Sequence, residues 1–187
     1  MTLPNKITVF RFFCIPFFTV FFLLESVFPE SKMTFDIIAL VIFAIASISD
    51  FFDGYLARKN HQVTDFGKLM DPLADKMLVC TAMICFVELR SNFPCWCAVV
   101  VIAREFIISG FRQLAAEKKT IIMASLWGKA KTVVSLIMCL LFILDLNQFG
   151  WYVTLETVLM YVATVLTVVS LIDYLVKNWQ VMRDCTK

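Results

Sequence analysis

The stretch SDFFDGYLARKNHQVTDFGKLMDPLADK, residues 49–76, sets Asp50, Asp53, Asp71 and Asp75 inside an otherwise apolar run. A carboxylate near the centre of a bilayer costs about 2.5 to 3.5 kcal/mol even on the lenient insertion scale, so a cluster of them needs cations or water to persist. On a helix Asp50 and Asp53 lie about 60° apart around the axis, and Gly54 and Ala57 continue their stripe. Small residues there leave room for a backbone or a ligand to come close. Asp71 and Asp75 lie about 40° apart and about 6 Å along the next helix, so they too share a face. The nine-residue connection Lys59 to Gly67 is short enough to make the two helices antiparallel neighbours. The acids are then expected to line one pocket in the inner leaflet, with Asp50 about 12 Å below the helix end at Arg58.

Outward from this stretch, the chain of 187 residues is 60% hydrophobic with a mean hydropathy of +0.83, which marks a membrane protein. Six segments approach the length of a span: about 7–28, 35–57, 69–89, 93–114, 130–149 and 152–176. They predict an all-α bundle of six transmembrane helices forming a single domain over residues 1–187. Lys6 to Phe13, mixing basic and aromatic side chains, is expected to be a short interfacial helix. The apolar run that follows is too long for a signal peptide and carries Pro16. With the N-terminus inside, fifteen Lys and Arg fall on the inner side and only Lys32 and Arg90 on the outer side, which predicts an N-in, C-in topology. Asp36 and Glu88, near span ends, read as solvated, and Asp145 as part of an outer turn. Seven cysteines without a CxxC pair read as small buried hydrophobes. The phenylalanines read as lipid-facing or interhelical packing. A net charge of +2 offers nothing for nucleic acid, and the basic residues are explained by the inner-side bias.

Clustered carboxylates bind hard divalent cations, and two ions about 3.5 to 4 Å apart form a clamp suited to displacement at phosphorus. His61 is the only histidine, so zinc is a poor candidate, and His61 itself reads as a solvated loop residue. The bland alternative for the acids is a buried network with Arg58, Lys68 or Lys76, or a cation pathway. Arg104 and Arg112 interrupt the fourth apolar segment about 80° apart on one broad face, and guanidinium forks suit phosphate. Lys129 and Lys131 flank the start of the fifth span, directed by an expected turn at Trp127-Gly128. For Arg104 the competing reading is a pair with the adjacent Glu105.

The pattern Asp50-x2-Asp53-Gly54-x2-Ala57-Arg58-x8-Gly67-x3-Asp71-x3-Asp75 resembles the signature of the CDP-alcohol phosphotransferase family at every fixed position. LPNKITVFRFFCIPFF, AREFIISGFRQLAAEKK and LWGKAKT are similar to the phosphatidylglycerophosphate synthases within it. The resemblance implies transfer of a phosphatidyl group from CDP-diacylglycerol to sn-glycerol 3-phosphate, giving phosphatidylglycerol phosphate and CMP. It further implies that Asp50, Asp53, Asp71 and Asp75 hold Mg2+ or Mn2+, two ions in the fullest form, and that Asp75 is the general base. Asn5, Thr8, Gly54, Ala57, Arg58 and Gly67 would then border the nucleotide together with Asp50, Asp53 and Asp71, and Arg104, Arg112, Lys129 and Lys131 the glycerol phosphate.

The same resemblance implies a homodimer in the inner, cytoplasmic membrane with the active site facing the cytoplasm. Two alternatives stand beside it. A relative with another acceptor, of cardiolipin synthase or inositol-phosphate type, would share the acids, and a lipid acceptor would need a second route open to the bilayer. A divalent-cation transporter would also use intramembrane acids, but no internal repeat is visible and the basic set would repel its cargo.

Overall fold

Uninterrupted apolar runs satisfy their backbone most simply as helices, and the computed structural model shows α1 (Leu3–Val27), α2 (Lys32–Lys59), α3 (Asp65–Leu89), α4 (Cys95–Glu117), α5 (Leu126–Leu144) and α6 (Gly150–Lys177), with a 3-10 turn at Pro29–Ser31. The structure describes the backbone of residues 3–59, 65–117 and 126–179 and the side chains of residues 7–49, 70, 73, 74, 76–115 and 126–179, and no strand occurs among them. Among the described residues four stretches are long and apolar enough to cross a membrane: Ile7–Val27, Pro29–Ser49, Leu126–Leu144 and Gly150–Lys177. α3 and α4 carry the acids and arginines that lower their hydropathy.

Several helix ends differ from the apolar segments, because the backbone ladder continues wherever side chains allow it. α1 is one continuous helix from Leu3 through Pro16 to Val27, with no break between the basic-aromatic start and the span. Pro4 lies in the first turn, where it has no intrahelical donor to lose. α3 starts at Asp65, so Gly67 belongs to its first turn and not to the connection. Trp127 and Gly128, expected as a turn, are likewise helical residues at the start of α5.

The helices group into two compact units. In the first, Met1–Ser91 with Cys139–Leu146, α1 packs on both α2 and α3, and α2 touches α3. The buried stripe of α1 runs Thr8, Arg11, Ile15, Phe18, Phe22, Glu25, a three-and-four spacing that turns one helix face inward. Its middle is aromatic. Phe18 stacks on Phe22 at 5.5 Å and meets Phe43 at 5.7 Å; Phe86 lies 5.8 Å from Phe22 and 5.4 Å from Phe142. Phe10, Phe13 and Phe17 on the opposite face are exposed, as lipid contact requires.

In the second unit, Asn92–Met138 with Asn147–Lys187, α4 packs on α6. Residue numbers rise together along the two helices, from Trp96 beside Tyr161 to Arg104 on Ser170 and Arg112 over Tyr174, so α4 and α6 run parallel. Asn92, just ahead of α4, bonds Glu156 at 2.5 Å. The inward stripe of α6 includes Glu156, Thr164, Thr167, Ser170 and Tyr174. Thr164 and Thr167 donate back to the carbonyls of Met160 and Ala163 at 2.8 and 2.6 Å, which satisfies their hydroxyls without a neighbouring helix. Of the described cysteines only Cys95 is exposed, against the expectation that all are buried.

Candidate active site

The signature residues fall on two contacting helices: Asp50, Asp53, Gly54, Ala57 and Arg58 on α2, and Gly67, Asp71 and Asp75 on α3. Their side chains, and that of Asn5, lie outside the described residues, as do His61 and Cys185 altogether. Among the described residues no group of three or more His, Cys, Asp or Glu is set to hold a metal ion.

At the other end of these helices, an ion cluster fixes how they align. Arg90, which follows α3 directly, reaches Glu25 on α1 with both terminal nitrogens, Nη2 to Oε2 at 3.0 Å. It also meets Asp36 on α2 at 3.4 Å and Asp145 at 3.5 Å, and donates through Nε to the Phe142 carbonyl at 2.9 Å. Lys32 pairs with the same Asp145. Asp36 is therefore not solvated as expected; it is 2% exposed and lies against the Arg90 guanidinium. Burial opposes the charge on Arg90, yet Glu25, Asp145 and Asp36 outweigh it and raise its pKa, so the cluster keeps a permanent cation.

The Asp36–Arg90 pair gives α2 and α3 a common origin, and the rise of about 1.5 Å per residue gives the levels below it. Along α2, Asp50 and Asp53 come about 21 and 26 Å from Asp36; along α3, Asp75 and Asp71 come about 23 and 29 Å from Arg90. Thr8 lies about 26 Å from Glu25 along α1. The backbone thus brings both acidic pairs and Thr8 to the same end of the three helices, between about 21 and 29 Å from the cluster. Thr8 is fully buried there, and so is Arg11, three residues on and on the same face. Arg11 was legible only as an inner-side charge. Its place in the stripe that continues to Phe18 and Phe22 is the signal that marks it as buried.

The basic residues divide. Arg104 donates to Glu105 at 3.0 Å and to Ser170 at 2.7 Å, and Lys131 donates to the same Glu105 oxygen. Both cations are buried, and among the described residues they share the one Glu105 carboxylate. The Nε of Arg104 and the hydroxyl of Ser135 are buried without a hydrogen-bond partner among the described residues. Arg112 is exposed and lies over the Tyr174 ring at 5.8 Å, a cation–π arrangement. Lys129 is exposed: residues two apart on a helix point to opposite sides, so the structure does not bring it together with Lys131. The Arg104–Glu105 pair is the competing reading of the sequence, and Ser170 and Tyr174 are the partners that the basic pattern alone did not reveal.

The family model described as CDP-alcohol phosphatidyltransferase matches residues 1–169. The chain belongs to this family. Its relatives include the CDP-diacylglycerol–glycerol-3-phosphate 3-phosphatidyltransferase of Bacillus subtilis, 37% identical over 192 aligned residues that cover 97% of each chain. The enzyme of that name from Haemophilus influenzae is 38% identical over 92% of this chain and 91% of its own, and the one from Rickettsia bellii 35% over 92% of both. Family membership and the apolar helices make this chain a multi-pass membrane enzyme and not an ion transporter.

Proposed function

We propose that the chain transfers the phosphatidyl group from CDP-diacylglycerol to sn-glycerol 3-phosphate, releasing CMP and forming phosphatidylglycerol phosphate. The observation that carries this is similarity over nearly the whole chain to relatives bearing that activity in their names. The placement of the two acidic pairs toward the same end of the contacting helices α2 and α3 supports it.

Asp50, Asp53, Asp71 and Asp75 form the divalent-cation set. The donors fit, since carboxylates offer only hard oxygen, which suits Mg2+ or Mn2+. When bound, one or two such ions neutralise the pyrophosphate and stabilise the departing CMP. Asp75 accepts the proton of the acceptor hydroxyl, the step that turns a weak alcohol nucleophile into an effective one. Asn5, Thr8, Gly54, Ala57, Arg58 and Gly67 border the nucleotide, the small residues leaving space for it. Arg104, Arg112, Lys129 and Lys131 draw in the glycerol 3-phosphate dianion, guanidinium and ammonium groups suiting a compact phosphate.

The six helices all span the bilayer as one domain over residues 1–187, N-in and C-in, with the first turns of α1 at the surface. The site faces the cytoplasm of the inner membrane, and the protein works as a homodimer. The reaction is tested by following CMP release from CDP-diacylglycerol in detergent micelles against a panel of acceptors. Release only with glycerol 3-phosphate is expected; release with phosphatidylglycerol or inositol phosphate in its place overturns the acceptor assignment.

A further inference from the structure

We infer that Arg90 is a positioning residue for the reaction, although it lies about 23 Å along α3 from Asp75. Through Glu25, Asp36 and Asp145 it locks the axial register of α1, α2 and α3, and so sets the level at which the acids meet. This rests on reading those acids as the divalent-cation set.

The argument begins with what each contact can tolerate. The aromatic middle of the unit, Phe18, Phe22, Phe43 and Phe86, holds the helices together by burial, which is non-directional and discriminates weakly between neighbouring registers. The ion cluster discriminates strongly. Sliding a helix by one residue moves each of its groups by about 1.5 Å and turns it by about 100°. That would take Glu25 away from the guanidinium fork and leave buried charges without a partner, and would part Asp36 from it too.

Asp145 adds an independent observation. Its φ is 43°, a left-handed conformation that non-glycine residues seldom adopt. It sits immediately after α5 with its carboxylate tied to Lys32 and Arg90. Helices commonly end on one such residue and Asp adopts it more readily than most, so it ends α5 at a fixed point and sets where this carboxylate starts. Each of the three helices thus contributes to one anchor, and each carries part of the proposed site at its far end: Thr8 on α1, Asp50 and Asp53 on α2, Asp71 and Asp75 on α3. A helix transmits an axial shift along its whole length, and a catalytic constellation must hold within about 0.5 Å.

The test uses the purified full chain in detergent, with Mn2+ alone as the probe, its binding followed by electron paramagnetic resonance without substrate. Arg90→Gln is expected to keep its helical circular dichroism while Mn2+ binding weakens by about tenfold, the size of losing a supporting contact at a metal site. The turnover number falls by about a hundredfold, as a 1 Å misplacement can cause, and the KM for glycerol 3-phosphate stays within about twofold. Arg90→Lys, which keeps a cation against Glu25, Asp36 and Asp145, recovers part of the Mn2+ binding. If Arg90→Gln does not fold, Glu25→Gln, which leaves Asp36 and Asp145 on Arg90, shows the same change in smaller measure. Folded variants with wild-type Mn2+ binding and turnover overturn the positioning role. Wild-type protein that binds no Mn2+ instead overturns the metal reading, and this inference with it.

Discussion

The Arg90 guanidinium holds the Glu25 carboxylate through both terminal nitrogens across 65 residues of sequence, joining the end of α3 to the end of α1. Both side chains are almost wholly shielded from solvent, so removing one partner strands the other. Arg90→Ala is expected to lower stability by about 3 to 5 kcal/mol, measured as the unfolding midpoint in detergent. Lys32, whose side chain is 40% exposed beside Asp145, should cost no more than about 1 kcal/mol when changed to alanine.

Asp75→Asn removes the proton acceptor and keeps the shape. Turnover should fall by at least about a hundredfold, while CDP-diacylglycerol binding, read by equilibrium titration, stays largely intact. Near-normal turnover would take the base role from Asp75.

Chelation should abolish activity. EDTA treatment followed by Mg2+ or Mn2+ is expected to switch CMP release off and back on; full activity in a metal-free preparation contradicts a metal-holding role for the four aspartates.

Arg112 is solvent-accessible and steadied by the Tyr174 ring, free to meet an incoming phosphate. Arg112→Ala should chiefly raise the KM for glycerol 3-phosphate, with a smaller effect on turnover. An unchanged KM in steady-state assays would leave the residue a packing role.

Glu105 balances two buried cations, Arg104 and Lys131. Glu105→Gln should lower the unfolding midpoint by the equivalent of about 3 kcal/mol. Adding Lys131→Met should recover part of that loss, because one stranded charge is then gone. Additive losses in this double-mutant cycle would show that the two residues do not interact.

The presence of the helices was legible because apolar runs are a one-dimensional signal. Their ends were less so: Gly67, Trp127 and Gly128 looked like turn residues, but nothing nearby broke the backbone ladder. Lys129 and Lys131 were read as a pair from adjacency in sequence, yet the helical turn separates them into one exposed and one buried residue. Arg104 looked like a phosphate ligand or a partner of Glu105, and the fold adds Ser170 and Lys131 to that contact. Asp36 looked solvated since it sits near a span end, and no pattern within α2 announces a guanidinium arriving from the end of α3.

By itself the sequence determined the membrane setting, the helices, the family and the four signature aspartates, all of which depend on composition and on spacing within one or two neighbouring segments. Only the tertiary structure decided that Glu25, Asp36, Arg90 and Asp145 share one buried site and that Glu105 bridges Arg104 and Lys131. Charge pairing across helices depends on which faces meet and at what height. Those are properties of packing in three dimensions, fixed by burial and ionic compensation among residues far apart in the chain.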